Sequence, residues 1–331
     1  MDFKKYYPLI PMFIISVILL AVRLAAPELS QIVSLALFYV ALGEAFNIFT
    51  GLTLYVCFGY VAFVALGMYG SGLALKYILA TSNPPLVTTI LFSFAVAGFF
   101  AFILALVVGS IGLRLRGAFF AIATVGLSEG LKNFIEGTGI WGGSSGLIIA
   151  GDLISSYGHE TYVFVSTELA DYLMFAVYVL SLLVMFLITK SRFGYGLTAL
   201  KEDEDVANVM GVNTVRYKLM TFVISAALAG MIGATKMLKD LVIYPPQAFA
   251  ISYTVEAIVI TMLGGLGTVT GPVIGGLVYS ILKYMLTVSF PGLQLLILAP
   301  VLIAVCVLFP YGIVGWVKRR FRGTLIDYLL V

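Results

Sequence analysis

Apolar runs, each about as long as a membrane is thick, recur along almost the whole 331-residue chain. A hydrocarbon core of about 30 Å needs about 20 residues of helix, at 1.5 Å per residue. The candidate spans are residues 8–26, 30–49, 52–72, 86–108, 118–136, 170–189, 219–238, 252–269, 272–289 and 293–316. The sequence therefore predicts an all-α, polytopic integral membrane protein of about ten transmembrane helices, forming a single membrane domain over residues 1–331.

The composition excludes an ordinary soluble domain, since 61% of the residues are hydrophobic and only 11% are charged. The first span resembles a signal peptide, because Lys4 and Lys5 precede it. The nine spans that follow favour a retained first helix instead. Nothing in the net charge of +3 points to a nucleic-acid partner.

Lysine and arginine residues set the expected orientation, because they concentrate in cytoplasmic loops. With ten alternating spans and a cytoplasmic N-terminus, most of the basic residues face inside and both termini are cytoplasmic. The inside residues are Lys4, Lys5, Arg114, Arg116, Lys190, Arg192, Lys201, Arg216, Lys218, Lys318, Arg319, Arg320 and Arg322. Residues 137–169 then form an extracytoplasmic loop rich in glycine and small polar residues, with the lone His159.

A charged island at residues 190–218 is the longest stretch expected inside the cell. Ser191 is placed to cap a helix, Gly194 and Gly196 to break it, and Gly211 to end a second short helix. Two short helices would make a compact structure that can transmit force. A compact cytoplasmic structure on a chain that has no energy source of its own predicts a membrane subunit that a separate partner protein drives.

The sequence supports no catalytic or nucleotide-binding site. Residues 137–142 match the pattern G-x-G-x-x-G, but they follow a membrane helix with no strand before it, which disfavours a dinucleotide site. One histidine excludes a two-histidine zinc motif, and the absence of any Gly-Lys dipeptide excludes a phosphate-binding loop. Glycines at 267, 271 and 275, and at 126 and 130, are instead spaced so that these faces should touch other helices. We expect no metal and no cofactor on this chain.

Charged and amide side chains inside the spans are candidates for the transport pathway, because charge at a helix centre is costly in lipid. Glu44 and Asn47 share one helix face, with no basic residue nearby in sequence. Glu129 can either pair with Lys132, three residues on, or act in transport. Glu256 lies near the outer end of its span, where water can reach it.

Four blocks of sequence, in this order, are similar to a known family. They are residues 114–124, 191–213, 218–230 and 263–272, which read RLRGAFFAIAT, SRFGYGLTALKEDEDVANVMGVN, KLMTFVISAALAG and LGGLGTVTGP. The chain resembles the inner-membrane permease subunits of ABC importers for branched-chain amino acids, of the LivM-like type. The resemblance extends over roughly residues 44–310, and urea and amide importers belong to the same family.

Three positions depart from the family pattern. Tyr60 stands where members often carry histidine, and Cys57 where a more polar residue is expected. Ser145 replaces an aspartate in the outer segment, which bears on the substrate class and not on the transporter class.

The resemblance implies a multi-pass protein of the cell (inner) membrane that is not itself an enzyme. Its expected partners are two cytoplasmic ABC ATPases that carry ATP and Mg²⁺, a second permease (LivH-like or a second copy), and an extracytoplasmic substrate-binding protein. The expected pathway residues are Glu44, Asn47, Tyr60, Ser128, Glu129 and Glu256. The expected ATPase-coupling residues are Gly194, Gly196, Ala199, Glu202, Asp203, Glu204 and Gly211.

Three alternatives stay open from the sequence. The substrate could be urea or a short amide, or another class of amino acid. The chain could be a secondary transporter that uses Glu44 and Glu129 as ion sites. A membrane-embedded enzyme with Glu129 or Glu256 as the acid is disfavoured, because the spans lack clusters of catalytic residue types.

Overall fold

A computed structural model describes residues 9–25, 29–81, 85–293, 296, 299–300 and 311–320. The described elements are α1 (Leu9–Ala25), α2 (Ser30–Thr53), α3 (Val61–Thr81), α4 (Leu86–Gly112), α5 (Ala118–Thr138), β1 (Leu147–Ile148), α6 (Ala150–Tyr157), α7 (His159–Phe164), α8 (Ala170–Lys190), α9 (Arg192–Glu202), α10 (Glu204–Val209), α11 (Thr214–Asp240), β2 (Val242–Ile243), α12 (Pro245–Ala248), α13 (Ser252–Gly264), α14 (Gly271–Ser289) and α15 (Gly312–Arg320).

Helices dominate the described part of the chain, and seven of its helical stretches are long and apolar enough to cross a membrane. They are Ser30–Thr53, Val61–Thr81, Leu86–Gly112, His159–Lys190, Thr214–Asp240, Pro245–Gly264 and Gly271–Ser289. The chain is therefore a polytopic all-α membrane protein, as predicted. The last predicted span, 293–316, lies mostly outside the described residues.

The chain divides into two compact units. The first unit comprises residues 1–52, 178–190 and 256–331, and the second comprises residues 53–177 and 191–255. In the second unit α3, α4 and α11 pack closely because glycines bring their backbones together. A Cβ at Gly67 would collide with the backbone of Gly230, and one at Gly233 with the backbone of Val64.

Small residues also pack the first unit. A Cβ at Gly275 would meet the backbone of Ile260 and Gly264, and one at Gly276 would meet Val40. The predicted helix contact is thus confirmed for Gly275. Gly126 and Gly130 show no such contact among the described residues. A Cβ added at either glycine would have no atom of another helix within 4 Å.

The third span begins later than predicted, at Val61 instead of residue 52. Residues 54–60, which we call linker 54–60, are irregular between α2 and α3. Hydropathy does not predict this break, because it depends on the side chains, which are mostly apolar in this linker, and not on the backbone conformation. Leu54, directly after α2, takes a left-handed conformation with φ 60°, which a residue with a side chain adopts at a cost.

Residues 137–169, which we call the outer segment after their predicted location, are folded, and this corrects the prediction of a loop. Leu147–Ile148 pairs antiparallel with Val242–Ile243 directly after α11. Gly146, at φ 77°, packs onto the backbone of Ile243, where a side chain would not fit. From His159 onwards the chain is helical and continues through a π-helical turn into α8.

Candidate coupling and pathway sites

The coupling segment, residues 191–213, contains the two short helices α9 and α10. The Ser191 hydroxyl accepts a hydrogen bond from the Gly194 N–H (3.2 Å), which confirms the predicted cap. Asp203 separates the helices and caps α10, since its Oδ1 accepts from the N–H groups of Asp205 (2.9 Å) and Val206 (3.0 Å). Gly211 follows α10 at φ 89°, as its predicted role requires.

One prediction about this segment is wrong: Gly194 and Gly196 do not break the helix but lie inside α9. The place of Gly196 follows from its size, because a Cβ there would collide with the ring of Tyr217. That ring also stacks on Phe193, with centroids 4.8 Å apart. The two aromatic rings therefore fasten α9 to the start of α11.

A buried ion pair fixes α10. The Lys218 Nζ donates to Glu204 Oε1 (2.6 Å), and the Tyr55 hydroxyl donates to Glu204 Oε2 (2.7 Å). Lys218 also donates to the Tyr55 oxygen (3.2 Å) and lies 4.4 Å from the centre of its ring. The Lys218 side chain is only 2% exposed and that of Glu204 18%.

The environment of this pair lowers the pKa of Glu204. Burial raises that pKa, but the hydrogen bonds from Lys218 and Tyr55 and the nearby positive charges outweigh it, so it lies below its usual range. Burial raises the pKa of the Tyr55 hydroxyl, and the hydrogen bond to Glu204 raises it further. Tyr55 therefore stays a neutral donor and Glu204 a charged acceptor at physiological pH.

A second ion pair joins the coupling segment to the residues between α4 and α5. Arg116 Nη2 lies 2.9 Å from Asp205 Oδ1, and Nη1 lies 3.3 Å from Oδ2. Both side chains are largely exposed. Water and salt screen an exposed pair of this kind, so it adds little to stability, and we assign the fixing of α10 to the buried Glu204 pair.

The outward face of the coupling segment combines apolar and acidic side chains. Tyr195 is 70% exposed, Val209 87% and Met210 79%. Ala199, Glu202, Asp203 and Val206 are exposed as well, and we call these seven residues the outward face. The apolar members were not among the predicted coupling residues, which are all acidic or small. Apolar residues in an otherwise charged loop were the signal that could have identified them.

The predicted pathway residues fall in both units. In the first unit, Glu44 is fully buried in α2, and both of its carboxylate oxygens lack a hydrogen-bond partner among the described residues. Asn47 lies one turn further along α2, and its amide forms hydrogen bonds with the residues between α13 and α14. It donates to the Thr268 carbonyl (2.8 Å) and accepts from the Gly267 N–H (2.8 Å).

Glu256, also in the first unit, belongs to a buried ion pair that the sequence analysis missed. Its Oε1 lies 2.6 Å from Lys283 Nζ, and Lys283 also donates to the Tyr39 hydroxyl. The side chains of Glu256 and Lys283 are 7% and 23% exposed. The pair joins α13 to α14, and Tyr39 adds α2, so Glu256 has a packing role in this conformation.

In the second unit, Tyr60 closes linker 54–60 and its hydroxyl lies 3.0 Å from both the carbonyl and the hydroxyl oxygen of Ser225. Ser128 is buried on α5, whereas the Glu129 side chain is 44% exposed and pairs with Lys132. Glu129 thus pairs with Lys132 as predicted, and its exposure is also compatible with the alternative prediction of a role in transport.

An apolar groove of about 410 Å³ also lies in the second unit. Phe100 and Leu104 of α4 line it together with Leu131 and Phe134 of α5 and with Trp141. An amino acid carries two charged groups, and this lining offers neither of them a partner. The groove therefore suits an acyl or alkyl chain and does not form a complete amino-acid site.

Known proteins are similar to most of the chain. The family model described as "Branched-chain amino acid transport system / permease component" matches residues 28–306. The high-affinity branched-chain amino acid transport system permease protein LivM of Escherichia coli is 25% identical over 337 residues, which cover 94% of this chain and 76% of LivM. LivH of the same organism is 28% identical over 201 residues, covering 59% of this chain and 63% of LivH. No solved structure matches the chain.

Proposed function

Because the chain belongs to the branched-chain amino acid transport system permease family, we propose that it is the membrane-spanning subunit of an ATP-driven importer of branched-chain amino acids. Separate ABC ATPases would hydrolyse ATP with Mg²⁺, a soluble binding protein would deliver the substrate, and a second permease would complete the pathway. The observation that supports this most is the folded coupling segment, which the buried Glu204–Lys218 pair holds in place and whose outward face carries exposed apolar side chains.

The outward face of the coupling segment suits a groove on a partner ATPase. Val206, Val209 and Met210 are exposed on and directly after α10, and a patch of apolar side chains in water is typical of an interaction surface. Because the buried Glu204–Lys218 pair holds α10 in place, little ordering of the segment is required when the ATPase binds.

The first experiment tests ATPase binding. In Val209→Asp/Met210→Asp, a charged group replaces each apolar contact, so we expect at least a tenfold loss of ATPase association. The measurement is co-purification of the ABC ATPases with the permease from membranes in which they are co-expressed.

Ile154→Asp is the matched control. It places the same charge on an exposed apolar residue of α6, in the outer segment, and ATPase association should be unchanged. Undiminished association of the Val209→Asp/Met210→Asp variant would overturn the assignment of this face.

We assign the pathway and the second permease to the open face of α5. Gly126 and Gly130 have free space beside them, and the Glu129 side chain is 44% exposed although it lies within the helix. In lipid even the paired charges of Glu129 and Lys132 are costly, whereas a second permease or a watery pathway accommodates them. Small residues at four-residue spacing also permit a close helix contact.

The substrate assignment rests on the family and on the apolar character of the chain. A branched-chain amino acid presents an apolar side chain, which a largely apolar pathway accepts without a strong ion site. Uptake of radiolabelled leucine, valine and isoleucine into proteoliposomes, in competition with urea and acetamide, tests this choice. Uptake of radiolabelled urea or acetamide, with none of the three amino acids, would assign the chain to the amide importers.

A further inference from the structure

Linker 54–60 connects two regions that the sequence places far apart, the coupling segment and the interior of the membrane domain. At its far end Tyr60 contacts Ser225, which lies eleven residues into α11. At 1.5 Å per residue this is about 16 Å from the start of that helix. The linker therefore runs from the edge of the domain deep into its interior.

Protein groups satisfy the deep end of the linker. The Val61 N–H donates to the Thr254 hydroxyl (3.0 Å), and Gly59 packs so closely on the backbone of Thr124 that no side chain would fit. Cys57 and Tyr60 are buried. Irregular backbone at membrane depth is tolerated only where protein or a watery cavity satisfies it, and such breaks are a recurrent feature of transporter binding regions.

The shallow end of the linker is held by the coupling segment through one hydroxyl group. Tyr55 donates to Glu204, the first residue of α10, and accepts from Lys218 of α11. Leu54, just before it, has the left-handed backbone that marks a strained junction. A displacement of α10 passes to Tyr55 through Glu204, because this residue of α10 accepts the hydrogen bond from the Tyr55 hydroxyl.

We propose that Tyr55 is the positioning residue through which the coupling segment moves linker 54–60, and with it the interior residue Tyr60. The inference rests on the proposed function, since it presumes that an ATPase displaces α10. It assigns to Tyr55 a role in transmission and none in ATPase docking, because its hydroxyl faces Glu204 and Lys218 and not the outward face.

Tyr55→Phe is the sharpest variant, because it removes the hydroxyl and keeps the ring beside Lys218. Tyr77→Phe is the matched control, since Tyr77 is an exposed tyrosine at the other end of α3. The full transporter is reconstituted with its ATPases and binding protein, and leucine uptake is divided by ATP hydrolysed. We expect at least a fivefold loss of this ratio in Tyr55→Phe, with ATPase association unchanged, and no loss in Tyr77→Phe.

A second readout follows the linker itself. In a Cys57→Ala/Cys306→Ala background, Phe58→Cys places a thiol at an exposed linker position. A water-soluble thiol reagent should modify it at a rate that changes on ATP addition. Tyr55→Phe should abolish that change, and Tyr77→Phe should preserve it.

Each other outcome overturns the inference. An unchanged ratio in Tyr55→Phe means that the hydroxyl transmits nothing. Loss of ATPase association in Tyr55→Phe means that the hydroxyl only maintains the fold of α10. Neither result bears on the proposed function, which is tested by leucine uptake and its dependence on the ATPases, whereas the Val209→Asp/Met210→Asp variant tests the docking face.

Discussion

Glu44 and Glu256 are both buried acidic residues of the first unit, yet their surroundings differ in one respect. Glu256 has a cation at 2.6 Å, whereas the two oxygens of Glu44 have no hydrogen-bond partner among the residues described. A buried charge without a partner destabilises a protein, and breaking a buried pair leaves one behind. The same substitution should therefore have opposite effects at the two sites.

We predict that Glu256→Gln lowers the free energy of unfolding by about 3 kcal/mol, near the low end for a broken buried pair because Lys283 keeps some exposure. Glu44→Gln should leave stability unchanged or raise it. Thermal unfolding of the purified variants in detergent is the measurement. Equal destabilisation by both substitutions would show that Glu44 has a partner of comparable strength.

At the scale of helices, glycines that look alike in the sequence have opposite roles. Gly67 faces the backbone of Gly230 across the contact between α3 and α11, whereas Gly130 of α5 has open space beside it. Both lie inside helices of 21 residues. Spacing alone does not separate the two, because it indicates a face but not what that face contacts.

We predict that Gly67→Ala destabilises the chain by at least about 2 kcal/mol, since the added methyl forces two backbones apart. Gly130→Ala should change stability by less than about 1 kcal/mol, because alanine favours the helix and has room. Urea or thermal unfolding of the isolated permease tests both. In the assembled transporter Gly130→Ala should also reduce co-purification of the second permease, which separates assembly from folding.

The success of prediction from sequence also differs by element. Helix existence and the caps at Ser191 and Gly211 followed from local patterns, since apolar periodicity and capping are local properties. The break at linker 54–60 did not, because its residues are apolar and its partners Thr254 and Ser225 lie far along the chain. Contacts such as Tyr55 with Lys218, 163 residues apart, require the folded structure.

At the scale of the whole molecule, the question is what drives transport. An ion-coupled carrier would need a charged site that works without a partner protein, and Glu44 and Glu129 were its candidates. Glu129 pairs with Lys132, which neutralises its charge locally. The coupling segment has no evident use in such a carrier, whereas an ATP-driven importer depends on it.

We predict that liposomes containing this permease without ATPases take up no leucine above background, with or without a proton or sodium gradient. Adding the ATPases, the second permease, the binding protein and ATP should restore uptake by at least tenfold, and dissipating the gradient should leave it unchanged. Gradient-dependent uptake by the isolated chain would identify a secondary transporter instead.

Helix α11 extends without interruption over 27 residues, from the neighbourhood of Glu204 to the strand β2 that pairs with the outer segment. Its length is about 40 Å, more than the thickness of a bilayer core. A ligand that shifts one end of a stiff rod therefore alters the binding free energy at the other, and thermodynamic reciprocity makes the two effects equal. A cargo-loaded receptor docked at the outer end would change the affinity for the motor at the inner end, and the motor would change the affinity for the receptor by the same factor, although the two proteins never meet.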